Sequence, residues 1–330
     1  MTDASTPALL EVESLTVRFG ARSARPALRE VSLRIARGES VGLLGESGSG
    51  KSLLALAATG MLPRAARIEG GRILVDGRNL CSLGSGELRA MRGSRIGLIF
   101  QEPMSALSPV RKVFDHFHDV LKAHRHADRS GSRRIALDLL DSLRVADALR
   151  VMEQYPAQLS GGMRQRVLIA LALACEPALV IADEVTTAID AAARRELLEL
   201  LRTAVRERGA ALLVISHDID VLRALCERLV VMYRGSVVEQ GPVDVLLGRP
   251  RHPYTRMLMG ARPGAAAPKT RLATATSAML ETAGEGCAFA ARCSRADTLC
   301  ASLPQAAPPD GPVGFESQHV VHCWHAEDAR

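Results

Sequence analysis

Aromatic residues are scarce: one Trp, three Tyr and six Phe make up 3% of 330 residues. A nucleic-acid surface built from stacking rings among cations is therefore not expected, and no dense basic run stands in for one. The formal net charge of +6 is mostly Arg, spread along the chain together with Ala, which reads as compositional bias. Long apolar runs are also missing. The longest, Val167 to Cys175, has nine residues, and a bilayer span needs about 20. The opening residues, MTDASTPALLEVE, have neither a basic start nor an apolar stretch, so no secretory leader is expected and the chain is placed in the cytoplasm. Any membrane role then runs through partner proteins. There is no internal repeat. What remains is an ordinary globular composition, 47% hydrophobic and 24% charged, in a chain longer than one average domain needs. A main domain with an appendage is expected.

The order of elements predicts an α/β fold. Residues 9–19 and 29–35 read as strands, and Ser40 to Leu44 (SVGLL) as a short strand buried on both faces. A Gly-rich loop and an apolar helix from Ser52 to Met61 follow, then strands at 72–76 and 95–100. Residues 103–158 switch to apolar positions three and four apart, a helical insertion closed by a helix at 160–175. Strand 178–183, helix 191–207, strand 211–216, helix 218–227 and strand 229–233 restore the α/β alternation. Residues 261–284, rich in Ala, Pro, Thr and Gly, predict a linker.

Gly45-Glu46-Ser47-Gly48-Ser49-Gly50-Lys51-Ser52 fits the phosphate-binding pattern G-x-x-x-x-G-K-[ST] between a predicted strand and a predicted helix. Glycines let the backbone wrap an anion, and the N–H groups at the helix start supply positive potential. Lys51 suits the β- and γ-phosphates, and the Ser52 hydroxyl suits magnesium. Leu179-Val180-Ile181-Ala182-Asp183-Glu184 is an apolar strand ending in two acids. Asp183 suits the magnesium shell, and Glu184, pointing elsewhere, suits orienting or deprotonating a water.

Leu159-Ser160-Gly161-Gly162-Met163-Arg164-Gln165-Arg166 places a serine and two glycines at a second helix start, a second anion site. This segment resembles the signature motif of ABC ATPases. The resemblance covers about residues 8–245, with a helical subdomain at about 103–165, and implies a P-loop ABC ATPase core with an antiparallel β subdomain. It implies a head-to-tail dimer in which Ser160, Gly161 and Gly162 cover ATP held by the phosphate loop of a second ATPase subunit, a related chain or another copy. Gln101 in IFQEP matches the glutamine that touches magnesium and senses the membrane subunit. Ala188-Ile189-Asp190 matches the D-loop, His217 in VISHD the histidine that contacts the γ-phosphate, and Phe19 the ring that stacks on adenine. Val185 and Ile189 depart from the usual Pro and Leu without removing a polar group.

Residues 246–330 carry the subfamily resemblance. Tyr155-Pro156-x-Gln158, Arg251-His252-Pro253-Tyr254-Thr255 and Gly286-Cys287-Ala288-Phe289-Ala290-x-Arg292-Cys293 look like the ATP-binding subunits of dipeptide and oligopeptide importers. Nickel and glutathione importers share parts of the pattern. The resemblance implies two transmembrane permease subunits, an extracytoplasmic solute-binding protein and a peripheral place on the cytoplasmic face of the membrane. A soluble ABC ATPase acting on nucleic acid or ribosomes is the rival reading. Such proteins usually carry two fused ATPase domains or a long coiled-coil insertion, and neither is present. A regulatory ATP-binding module without hydrolysis is the other rival, opposed by Glu184 and His217.

Four of seven cysteines, Cys287, Cys293, Cys300 and Cys323, crowd segment 286–325 with five, six and twenty-two residues between them. A reducing compartment disfavours disulfides, so they read first as a metal site. Zinc, an iron–sulfur cluster and free thiols all remain open on spacing, which matches neither paired Cys-x-x-Cys nor the common ferredoxin runs. The subfamily resemblance implies a [4Fe-4S] cluster, with zinc as the alternative; His319, His322 and His325 beside Cys323 offer further zinc ligands. His116, His118, His124 and His126 are expected on a solvated surface rather than around a metal. All the nucleotide motifs lie before Asp218, so the ATP site is expected to stand independently of the tail.

Overall fold

The computed structural model describes residues 8–20, 25–100, 106–186, 191–260, 286–304 and 319–326. Strands β1 (Ala8–Phe19) and β2 (Leu28–Ala36) precede the short β3 (Ser40–Leu44), the helix α1 (Lys51–Ala58) and strands β4 (Ala66–Val75) and β5 (Arg78–Asn79). Helix α2 (Ser85–Ser94) leads into β6 (Ile96–Ile99). Three helices follow: α3 (Val113–Arg125), α4 (Arg129–Ser142) and α5 (Ala148–Glu153). Helix α6 (Gly161–Leu173) then returns the chain to β7 (Leu179–Asp183), α7 (Ala191–Glu207), β8 (Ala211–Ile215), α8 (Ile219–Leu225) and β9 (Arg228–Tyr233). Strand β10 (Ser236–Pro242), helices α9 (Val243–Gly248) and α10 (Pro253–Gly260) and a two-residue strand β11 (Val320–Val321) complete the described elements.

These strands form two sheets. Four antiparallel strands run in the order β2-β1-β4-β5. Seven run in the order β11-β10-β9-β3-β8-β7-β6, parallel from β9 to β6 and antiparallel at the β10 and β11 edge. The near-continuous apolar runs of β3, β7 and β8 follow from burial on both faces. Leu179, Ile181, Leu213, Ile215, Val230 and Met232 point to a core shared with α1 and the antiparallel sheet. Their neighbours Val180, Ala182, Leu212, Val214, Leu229 and Val231 point to the opposite core with α6, α7 and α8. Each fully buried aliphatic side chain there contributes about 1.5–3 kcal/mol.

The expected strands at 72–76 and 95–100 are present, the first as part of the longer β4. Helix α1 is shorter than expected: it stops at Ala58, where Gly60 takes φ 63° and Thr59 caps the carbonyls. Within the expected helical insertion, the first described helix of more than one turn starts at Val113. The solvated-surface expectation for the histidines is met in part: His126 is exposed, whereas those of α3 are half-buried. His116 is half-buried and accepts the Ser108 N–H through Nε2 at 2.9 Å, while His118 bonds the Ser132 hydroxyl at 3.0 Å. The expected linker at 261–284 lies outside the described residues. Among the described residues, no helix is long and apolar enough to cross a membrane.

Candidate functional site

The carboxyl ends of parallel strands gather the loops that follow them, and the central strands β3, β8 and β7 are neighbours here. The loop after β3 is the Gly45–Ser52 segment. Gly50 caps α1 at φ 101°, a left-handed value that suits Gly alone, and a Cβ on Gly45 would come within 2.3 Å of the Met232 carbonyl oxygen. No side chain caps α1. Its first N–H groups are therefore left for an outside acceptor.

Lys51 lies across the loop. Its ammonium donates to Gly45 O at 2.8 Å, Glu46 O at 3.0 Å and Ser49 Oγ at 3.3 Å. Burial lowers its pKa, against the opposing pull of Glu184 and Asp183. The two acids close the far side. Burial raises the pKa of Asp183, and the Ser52 hydroxyl bonds its carboxyl and pulls the other way. Asp183 Oδ1 is buried with no hydrogen-bond partner. Glu184 takes φ 50°, a left-handed backbone value rare for a residue other than Gly. Its Oε1 accepts from the His217 ring at Nδ1, 2.8 Å away, and from the His217 backbone N–H at 3.2 Å.

Lys51, Ser52, Glu184 and His217 line one open cleft of about 970 Å³, with Phe19, Ser47–Gly50, Leu53 and Ile215 also on its walls. Phe19 ends β1 and is 41% exposed. A second cleft of about 560 Å³ is lined by Ser160, Gly161, Gly162, Met163, Arg166 and their neighbours. Gln101 and Asp190, expected at the nucleotide, lie outside the described residues.

Sequence reasoning missed part of the first cleft. Arg29, Arg234, Gly286 and Ala288 also line it. The last two come from the C-terminal segment, which corrects the expectation that the ATP site stands apart from the tail. Arg29 Nη2 donates to Gly286 O at 2.6 Å, and Arg292 reaches Glu46 of the phosphate loop at 2.9 Å. The Gly286–Cys293 run itself drew notice, but no spacing rule connects it to a loop some 240 residues earlier.

Tyr233, Tyr254, Phe289 and His252 form one aromatic group beneath this contact, with ring centroids 4.6–5.9 Å apart. The last described segment is fastened by the buried Glu239, whose carboxylate meets His319 Nε2 at 2.7 Å and accepts the Arg251 and His252 backbone N–H groups.

None of the four clustered cysteines is in a disulfide, and Cys293 and Cys300 are buried. Burial raises the pKa of Cys287, Cys300 and Cys323, the last to about 11. The thiols influence one another electrostatically, with Cys323 sensing the other three. Among the described residues, the set of three ligand atoms within 4.8 Å of one another is Asp297, Cys300 and His325, and it contains one thiol.

The ABC transporter family matches residues 28–187, and the family described as Oligopeptide/dipeptide transporter, C-terminal region, matches residues 238–300. The probable D,D-dipeptide transport ATP-binding protein DdpD of Escherichia coli is 43% identical over 98% of each chain. This chain belongs to the ABC transporter ATP-binding proteins of the oligopeptide/dipeptide type. The dipeptide transport ATP-binding protein DppD of Bacillus subtilis is 36% identical over 96% of this chain and 94% of its own. A bacterial ABC transporter cassette solved as a dimer with ADP and phosphate is 30% identical, with a TM-score of 0.63 over 71% of this chain and 98% of that one. The chain is thus an ABC-type ATPase, and its α/β cassette is the one those structures share.

Proposed function

We propose that this ATPase drives the import of di- or oligopeptides. The observation that carries the reading is the pairing of two features in one chain. The cleft holds the phosphate loop, Glu184 and His217 together, and the C-terminal region has the oligopeptide/dipeptide type of sequence. Phe19 takes the adenine, and the loop N–H groups and Lys51 take the phosphates. Glu184 accepts the proton of the attacking water, and His217, hydrogen-bonded to it, orients the carboxylate and meets the γ-phosphate. Ser160, Gly161 and Gly162 serve the nucleotide of a second ATPase subunit, and Asp190 and Gln101 complete the interface. The two subunits sit beneath two transmembrane permease subunits at the cytoplasmic face of the membrane, with a solute-binding protein delivering peptide from outside.

The residues present fit magnesium. Asp183 Oδ1 is buried and unpartnered, as a ligand atom awaiting a cation would be, and Ser52 bonds the same carboxyl. Ser52, Asp183 and Gln101 would hold the ion, which neutralises phosphate charge.

Four cysteines whose thiols sense one another in a short segment suit a cluster held by four thiolates, while the close set Asp297, Cys300 and His325 suits zinc as the alternative. Cys287, Cys293, Cys300 and Cys323 would hold a [4Fe-4S] group, which here would stiffen a short segment with little core of its own.

Reconstitution with its permease and binding proteins tests the main reading. Peptides should stimulate ATP hydrolysis and accumulate in the lumen; stimulation by nickel or glutathione alone would replace it. Anaerobically purified protein should contain about four irons per chain, and stoichiometric zinc would overturn the cluster.

A further inference from the structure

We infer that Arg292 is a positioning residue for ATP: from the C-terminal segment it holds Glu46, and with it the first half of the phosphate loop, in the binding shape. This goes beyond assigning the loop to ATP, on which it rests.

Every polar group of Glu46 is engaged. Its N–H donates to the Tyr254 hydroxyl at 2.9 Å. Its carbonyl accepts from Lys51 at 3.0 Å and from the Ser49 N–H at 3.1 Å. Its carboxylate accepts a two-pronged contact from Arg292, Nη1 to Oε2 at 2.9 Å and Nη2 to Oε1 at 3.3 Å. Two of these four anchors, Tyr254 and Arg292, come from beyond the nucleotide motifs. The same carbonyl that receives Lys51 is thus fixed from outside the loop, so a shift of Glu46 moves the lysine that must meet phosphate.

An exposed ion pair usually contributes little, and here the partners are 34% and 40% exposed. Arg292 differs from that case because its guanidinium is fixed before it meets Glu46. It lies 5.7 Å from the Tyr233 ring centroid and 5.8 Å from that of Phe289, both rings buried. Nη1 also donates to the Tyr233 hydroxyl at 3.4 Å. A caged fork facing a carboxylate loses little freedom on pairing. The Arg29 bond to Gly286 O is a second clasp between the same two parts. Arg292 directly precedes Cys293, so the order of the cysteine segment is transmitted to the loop in one residue.

The test uses ATP hydrolysis by the assembled transporter and ATP titration of the full chain. Arg292→Ala should raise KM and Kd for ATP about threefold to tenfold, with kcat at saturating ATP within about twofold, the scale of one pre-organised ion pair. Arg292→Lys should restore part of the loss. Glu46→Gln, which keeps the shape of the side chain, should give the same KM shift. The double variant should be no worse than either single one. Should Arg292→Ala fail to fold, the Glu46→Gln shift carries the test alone. Unchanged KM in a folded single variant, or additive effects in the double, would overturn the inference. Lys51→Ala separates the two levels. If it weakens ATP binding while Arg292→Ala and Glu46→Gln do not, only the positioning role fails; if it too has no effect, the ATP assignment itself fails.

Discussion

Two helix starts in this chain open onto a cleft, and they are built differently. At α1 the capping residue is Gly50, which brings no side-chain acceptor, and the following Lys51 is 7% exposed with its ammonium turned into the loop. At α6 the cap is Ser160, whose hydroxyl already accepts the Met163 N–H at 3.2 Å, and Ser160 and Gly161 stand exposed. The first start is walled by residues from seven stretches of the chain, including the C-terminal segment. The second faces a shallower cleft that shares no lining residue with the first. A helix end with its N–H groups unfilled and a cation at hand is a binding site within one chain. A self-capped, exposed end is what the proposed shared site asks of a second subunit, and the related cassette was solved as a dimer.

The largest expected effect belongs to the α1 cleft. Glu184→Gln should keep ATP binding but lower turnover in the assembled complex at least about a hundredfold, the scale for losing a general base. Phosphate release at near-normal rate would remove Glu184 from the chemistry. Next, Lys51→Ala should weaken ATP binding to the full chain by about tenfold to a hundredfold, since hydrogen bonds to charged groups are worth about 1.5–3 kcal/mol. Equal affinity by titration would erase the distinction drawn for α1. Ser160→Arg should change the chain's own ATP affinity by less than about twofold, while stopping hydrolysis in the complex. Loss of ATP binding by the folded, isolated chain would mean that both helix starts serve one nucleotide.

The two starts were also unequally legible. Gly45–Ser52 is a contiguous pattern whose chemistry is local, so eight residues in a row and their strand-helix context sufficed. Ser160 reads as a cap because it stands with two glycines at the start of a predicted helix. That Asp183 and Glu184 point apart was legible from their succession at the end of an apolar run, but the left-handed backbone at Glu184 has no mark in the sequence. Arg29, Gly286 and Arg292 were invisible as cleft residues. Their roles come from strand order and from a C-terminal segment folding back, which neither period nor spacing encodes. His116 and His118 were misplaced for a similar reason: their partners, Ser108 and Ser132, lie eight and fourteen residues away, off their own helical face.

Acid offers the gentlest way to sharpen the contrast, because only the α1 side rests on a buried histidine. His252 is 1% exposed, and its Nδ1 accepts the Tyr254 N–H at 3.0 Å, a bond that needs an unprotonated nitrogen. Its Nε2 is buried without a partner. Burial lowers its pKa to about 4; Glu239 opposes the shift and His322 adds to it. The sign follows from where each state takes up protons. Above about pH 6.5 the ring is neutral folded and unfolded, and contributes no pH dependence. As pH falls from about 6.5 toward 4, the unfolded chain protonates this ring and the folded one does not, so stability declines through that window. The loss from this group should be about 1 kcal/mol between pH 7 and 5.5, seen as a melting temperature lower by about 2 °C at this chain length. His252→Gln, whose carbonyl can still accept the Tyr254 N–H, should flatten that part of the slope. Since Tyr254 in turn accepts the Glu46 N–H, ATP affinity at the phosphate loop should hold through that window and weaken through this ring only as the pH nears about 4, where the folded His252 protonates, and less in the variant. Identical stability slopes in the two proteins would show that His252 does not titrate on unfolding, and equal ATP affinity of the two near pH 4 would detach the aromatic group from the loop it supports.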